Sequence, residues 1–169
     1  MKFELASSTW GEEEKLAIRE VVDSDAFTMG RNVKEFEEKF ARHFGMKYAV
    51  MANSGSSANL IAVASLFYRK SGALKRGDEV IVPCVSWATT FHPLHQYGLK
   101  LKFVDIDLQT LNYDVAALKK AVTRSTKMIV AVSILGNPCR FDEITKLCVD
   151  KGIILFEDNC ESMGAINYA

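Results

Sequence analysis

The stretch Ile153-Ile154-Leu155-Phe156-Glu157-Asp158-Asn159-Cys160-Glu161-Ser162-Met163-Gly164 decides the fold of this chain. Gly152 opens it, and four apolar residues then run without a break, as in a strand buried on both faces. Two acids and an asparagine follow at once, where such a strand emerges at its carboxyl end. Open α/β sheets place their ligands at that end. Asp158, held there by packed backbone, is well placed to meet a buried cation.

Upstream of this strand the chain keeps a βα rhythm. Tyr48–Ala52 reads as a short buried strand that runs into Asn53-Ser54-Gly55-Ser56-Ser57-Ala58-Asn59 and then an apolar helix, Leu60 to Tyr68. Val80–Pro83 is a strand closed by proline, and Val85-Ser86-Trp87-Ala88-Thr89-Thr90 leads to a helix of about His92 to Tyr97. Strand Leu101–Val104 precedes a helix around Val115–Val122. Strand Met128–Val132 and an irregular exit, Ser133 to Pro138, precede the helix Phe141–Asp150. Five strands alternating with helices predict an α/β, three-layer domain with a mainly parallel sheet covered on both faces. Nearer the N-terminus, Ser8 or Thr9 could cap a first helix. Val33, Phe36, Phe40 and Phe44 form a stripe expected to pack into a core, with Gly45 as the C-terminal cap.

Composition narrows the function classes. Hydrophobic residues at 49% and charged residues at 25% suit a soluble globular protein, and 169 residues suit one domain. A formal net charge of zero gives no bulk attraction to nucleic acid or to an anionic membrane, so neither is expected as a partner. No apolar run approaches the roughly 20 residues of a membrane span. Met1–Gly11 lacks both the basic start and the apolar stretch of a signal peptide, so a cytoplasmic location is expected. Cys84, Cys139, Cys148 and Cys160 show no paired metal-ligand spacing and are expected as buried thiols, with no metal site.

Three strand exits carry the candidate chemistry. Strand, small-residue turn and helix around Gly55, Ser56 and Ser57 would aim free backbone N–H groups at a phosphate, with an ordinary serine-rich helix cap as the alternative. Trp87 offers a flat face able to stack on a ring, or else a core aromatic. Asp158 could pair with a cationic ring nitrogen, or else cap a helix. A phosphate, a planar ring and a cationic ring nitrogen together describe pyridoxal 5′-phosphate, for which Asp158 would keep the pyridine nitrogen protonated.

The chain also resembles a family. Phe27-Thr28-Met29-Gly30, Asn53-Ser54-Gly55-Ser56-Ser57-Ala58, Val85-Ser86-Trp87-Ala88-Thr89-Thr90, Val104-Asp105-Ile106-Asp107 and Glu157-Asp158 look like the DegT/StrS family of nucleotide-sugar aminotransferases and their relatives. The resemblance runs from about Trp10 to Ala169. It implies an aspartate aminotransferase-like large domain of fold type I, including an N-terminal helical segment of about residues 1–45. It also implies pyridoxal phosphate or its amine form as cofactor, a homodimer with sites at the subunit interface, a nucleotide-sugar substrate, and an amino donor such as glutamate. In this likeness Gly55, Ser56 and Ser57 hold the phosphate, Trp87 stacks on the ring and Asp158 pairs with its nitrogen.

Two departures refine the expectation. Family aminotransferases carry His or Gln three residues after the ring-pairing Asp, near the cofactor's phenolic oxygen. Here that position is Glu161, a carboxylate that would be repelled there unless protonated or bonded elsewhere. Leu135-Gly136-Asn137-Pro138 with Glu157-Asp158-Asn159-Cys160-Glu161 is similar to a subgroup that removes the C3 hydroxyl of 4-keto-6-deoxy nucleotide sugars, in which histidine replaces the Schiff-base lysine. None of the lysines matches a Schiff-base context, and Lys127 reads as a solvated turn residue. The deciding Lys or His is expected beyond Ala169, in a longer protein with a further C-terminal part, so this stretch alone would lack a complete active site. The expected function is C3 dehydration of a nucleotide sugar. The alternatives are amino transfer by the same family, or a non-catalytic module that binds a phosphorylated ligand.

Overall fold

The computed structural model describes residues 7–165. They fall into two compact units, one up to Met51 and one from Ala52 on.

The first unit holds two helices. Helix α1 spans Glu12–Asp23, and its N-cap is Gly11 rather than Ser8 or Thr9. The Glu14 carboxylate accepts the Gly11 N–H at 2.6 Å, so an acid one turn on replaces the expected hydroxyl cap. Helix α2 spans Arg31–His43. Gly45, at φ +65°, takes the left-handed turn after it, and the Met46 N–H reaches back to the Ala41 carbonyl at 2.8 Å. The phenylalanine stripe packs on itself, with ring centroids 5.5 Å apart for Phe36–Phe40 and 4.7 Å for Phe40–Phe44. Contrary to the expected core packing, Phe36 stays half exposed and Ala41 is the buried residue of α2.

The second unit is the α/β body. In chain order it has α3 (Gly55–Phe67), β1 (Glu79–Pro83), α4 (Ala88–Gln96), β2 (Lys100–Val104), α5 (Val115–Ala121), β3 (Thr126–Val132), α6 (Phe141–Lys151) and β4 (Ile154–Asp158). A 3₁₀ turn at Ile134–Gly136 follows β3. The sheet is wholly parallel, in the order β2-β1-β3-β4. Side-chain alternation sorts the core. Val80, Val82, Met128 and Val130 face α3 and α4 through Val63 and Leu94. Ile81, Ile129 and Ala131 face α5 and α6 through Leu118, Ile144 and Cys148. This is the expected three-layer arrangement, and each fully buried aliphatic side chain stabilises it by about 1.5–3 kcal/mol relative to exposure.

Gly152, at φ +64°, ends α6, and the Ile153 N–H bonds back to the Cys148 carbonyl at 2.9 Å, handing the chain directly into β4. Among the described residues β4 pairs only with β3, and Ile154, Leu155 and Phe156 are half-buried rather than enclosed on both faces.

Four strands form among the described residues, not five. Tyr48–Ala52 takes no regular secondary structure and joins no ladder among the described residues, and Tyr48 and Val50 are exposed (76% and 73%). A strand exists only where a neighbour accepts and donates its backbone bonds, and here the Met51 N–H instead reaches the Glu37 side chain at 2.7 Å. Helix α4 starts four residues before the expected His92, which leaves Pro93 inside it. Lys127 lies in β3 with its side chain exposed. Cys139 and Cys148 are buried as expected, but Cys84 and Cys160 are exposed. Among the described residues no helix is long and apolar enough to cross a membrane, and no group of three or more His, Cys, Asp or Glu could hold a metal ion.

Candidate active site

The strand order sets the position of the site. From β1 the chain crosses to β2 on one side and to β3 and β4 on the other, so connections diverge between β1 and β3. Such a switch point opens a crevice at the carboxyl ends of the strands. The exits of β1, β3 and β4 carry Ser86–Thr90, Leu135 and Asp158–Glu161 to that end.

Asp158 is the last residue of β4 and only 7% exposed. Its Oδ2 accepts from Asn59 Nδ2 of α3 at 2.8 Å and from Thr90 Oγ1 of α4 at 2.8 Å. Its Oδ1 accepts the Cys160 N–H at 3.3 Å. Thr90 Oγ1 also lies 3.0 Å from Ser86 Oγ. A hydroxyl has one proton, and that of Thr90 points at Asp158, so Ser86 is the donor to Thr90. Asp158 forms no ion pair among the described residues. Buried charges are ordinarily paired. A buried carboxylate held only by neutral donors therefore has the chemistry to receive a cationic N–H, and on this observation the residues present fit a protonated pyridine ring.

The start of α3 supplies an anion site. Ser54 caps the helix, accepting the Ser57 N–H on its hydroxyl at 3.2 Å and the Ala58 N–H on its carbonyl at 2.9 Å. The N–H groups of Gly55 and Ser56 have no acceptor among the described residues. Apart from its chain neighbours and the helix's own backbone, no described atom lies within 4 Å of the place a Cβ would take at Gly55, so the approach is open. Ser56 and Ser57 line a shallow hollow of 220 Å³ with Leu60, Thr89, His92 and Pro93. Asn59 and Thr90, neighbours of this hollow on the same two helices, link it to Asp158.

Trp87, the N-cap of α4, is 67% exposed, so it is not a core aromatic. Its Nε1–H donates to Glu161 Oε1 at 3.2 Å. Glu161 Oε2 accepts the Leu135 N–H at 2.7 Å. Close by, Ser162 is buried and its hydroxyl has no partner among the described residues. The Cys160 thiol is pushed up to about 11, by partial burial of the sulfur first and then by the carboxylates of Asp158 and Glu161. Asp105 and Asp107, also within the family-like motifs, serve the backbone. Asp105 accepts from Cys84 Sγ at 3.2 Å and from the Ile106 N–H at 2.9 Å, and Asp107 folds the next turn by accepting the Gln109 and Thr110 N–H groups.

The structure thus brings Asp158, Trp87 and Glu161 to one end of the sheet, with Gly55, Ser56 and Ser57 on the adjoining helix. Asn59, Thr90 and Ser86 were not singled out from sequence. A polar residue within the first turns of each helix that follows a small-residue exit was the signal available.

The model of the DegT/DnrJ/EryC1/StrS aminotransferase family matches residues 8–168. Over 165 residues the chain is 59% identical to a GDP-4-keto-6-deoxy-D-mannose 3-dehydratase of Escherichia coli O55:H7, covering 98% of this chain and 42% of that protein. The solved E. coli GDP-4-keto-6-deoxy-D-mannose-3-dehydratase with bound hydrated PLP superposes with a TM-score of 0.94 at 59% identity, covering 98% of this chain and 42% of that one. A further structure of a GDP-4-keto-6-deoxymannose-3-dehydratase, with a trapped PLP-glutamate geminal diamine, gives the same TM-score, 0.94, and identity, 59%, over 98% of this chain and 43% of its own. The fold is that of the fold type I enzymes. The chain spans about two-fifths of the length of these relatives. With nearly all of its residues matched by one family model, the chain belongs to the DegT/DnrJ/EryC1/StrS aminotransferase family.

Proposed function

We propose that this chain forms the cofactor-binding part of a pyridoxal-phosphate enzyme that removes the C3 hydroxyl of a GDP-linked 4-keto-6-deoxy sugar. The observation that carries the proposal is Asp158, a buried carboxylate held by neutral donors and facing no cation among the described residues. The 59% identity to a 3-dehydratase supports the choice of reaction. When bound, the cofactor supplies an electron sink for charge that develops beside the sugar's C4 carbonyl.

The chain's own residues bind and orient. Asp158 holds the proton on the ring nitrogen. Asn59 and Thr90 hold Oδ2 toward the helices, leaving Oδ1, which accepts the Cys160 N–H at 3.3 Å, to turn toward a ring. Ser56, Ser57 and the N–H groups of Gly55 and Ser56 take the phosphate at the positive end of α3. Trp87 covers one ring face and keeps water from it. The resemblance further supports a cytoplasmic homodimer, and the relative trapped with glutamate supports glutamate as amino donor. The family's description as aminotransferases favours amino transfer as the second reading.

The test uses a protein of the relatives' length that carries this chain, given pyridoxal phosphate, glutamate and GDP-4-keto-6-deoxymannose. Mass spectrometry of the product is expected to show loss of the C3 oxygen. Replacement of the ketone by an amine would transfer the proposal to the second reading. Absence of a bound-cofactor absorption band would leave a non-catalytic phosphate-binding module. Asp158→Asn is expected to lower turnover at least about 100-fold while the protein stays folded.

A further inference from the structure

Two exposed groups stand on either side of the switch point: the Trp87 indole after β1 and the Leu135 turn after β3. Leu135 sits at φ +55° and is 77% exposed, an apolar residue in left-handed backbone with its side chain in solvent. That conformation costs a non-glycine residue about 1 kcal/mol or more and persists only where the surroundings enforce it. The far side of the turn is fixed without Glu161. Asn112 Nδ2 donates to the Asn137 carbonyl at 2.9 Å, and Asn137 Nδ2 to the Thr110 carbonyl at 2.9 Å. On the near side the Leu135 N–H is held by Glu161 Oε2, while Glu161 Oε1 holds the Trp87 ring.

We infer that Glu161 is a positioning residue, a two-pronged clamp that sets the plane of the Trp87 indole and the backbone of the Leu135 turn on opposite sides of the cleft. It does so rather than acting at the cofactor's phenolic oxygen, the place the family likeness implies. Both carboxylate oxygens already accept from N–H groups, and these bonds tie the exits of β4, β1 and β3 together. An exposed indole without this bond would rotate about its side-chain torsions, and ordering it would weaken any ring that stacks on it. What occupies the cleft rests on the proposed function above. The clamp is present in the chain alone.

The experiment is done on the full-length protein with Trp10 and every tryptophan outside this chain replaced by Phe, so that Trp87 reports alone. Without cofactor, Glu161→Ala is expected to lower the sub-nanosecond fluorescence anisotropy of Trp87. Glu161→Gln, which can accept through only one of its two terminal atoms, is expected to fall between and serves if the alanine variant does not fold. With cofactor, Glu161→Ala and Trp87→Phe are each expected to weaken pyridoxal phosphate binding about tenfold, and the double variant to be no more than about twofold worse than either. The pH titration of the bound cofactor's absorption band is expected to be the same in wild type and Glu161→Gln. Unchanged anisotropy, losses that multiply in the double variant, or a displaced band titration would each overturn the clamp. Failure of the wild type to bind the cofactor would instead overturn the proposed function and leave the anisotropy result standing.

Discussion

Asp158 shows how one residue's chemistry depends on partners far away in sequence. Two of its donors, Asn59 and Thr90, lie 99 and 68 positions upstream, and no local pattern predicts either bond. Cys160 shares this environment. Its thiol, raised to about 11, has a thiolate fraction at pH 8 about 100-fold below that of an ordinary thiol, and its greater intrinsic nucleophilicity recovers about tenfold. Iodoacetamide is therefore expected to label Cys160 about tenfold more slowly at pH 8 in the folded protein than in urea, with a rate that climbs toward pH 11. Peptide mass spectrometry after a short pulse measures it, and equal rates in the two states would show that neither burial nor the carboxylates hold the thiol up. The residue types at the strand exits could be read directly. Which oxygen each donor meets could not, because hydrogen-bond geometry is decided by helices docked from elsewhere.

At the scale of elements, local chemistry sets most boundaries. Asp114 caps α5 by accepting the Ala116 and Ala117 N–H groups at 2.8 and 3.1 Å. Asp114→Ala is expected to cost about 1 kcal/mol, seen as a lower urea midpoint with an unchanged slope. Gly45 and Gly152 stop α2 and α6 where left-handed backbone is needed, and both were visible as glycines after a periodic run. Two local readings failed for the same reason. Tyr48–Ala52 has strand composition but finds no ladder among the described residues, and the α2 phenylalanines have helical spacing but leave Phe36 half exposed. Periodicity reports what a segment can bury, and only its neighbours decide whether it does.

On the scale of the molecule, β1 and β3 form the centre of the sheet and are enclosed by helices on both faces. Val80, Ile81, Val82 and Met128 through Ala131 have no exposed surface. Their amides are expected to be the slowest to exchange hydrogen, opening only with global unfolding, while those of residues 48–50 exchange within the fastest class. Exchange read by mass spectrometry checks this, and early exchange in β3 would show that the sheet is not the last structure lost.

The sequence by itself determined the alternation of strand and helix in the α/β body, the helix stops, and the residue types at the exits of β1, β3 and β4. These follow from side-chain period, capping and backbone preference, which act within a few residues. The tertiary structure alone decided that four strands pair among the described residues, in the order β2-β1-β3-β4, that Asn59 and Thr90 meet on Asp158, and that Glu161 joins Trp87 to Leu135. Each of these is a contact between segments brought together by packing. Its existence depends on where whole elements dock, a quantity that no short window of sequence contains.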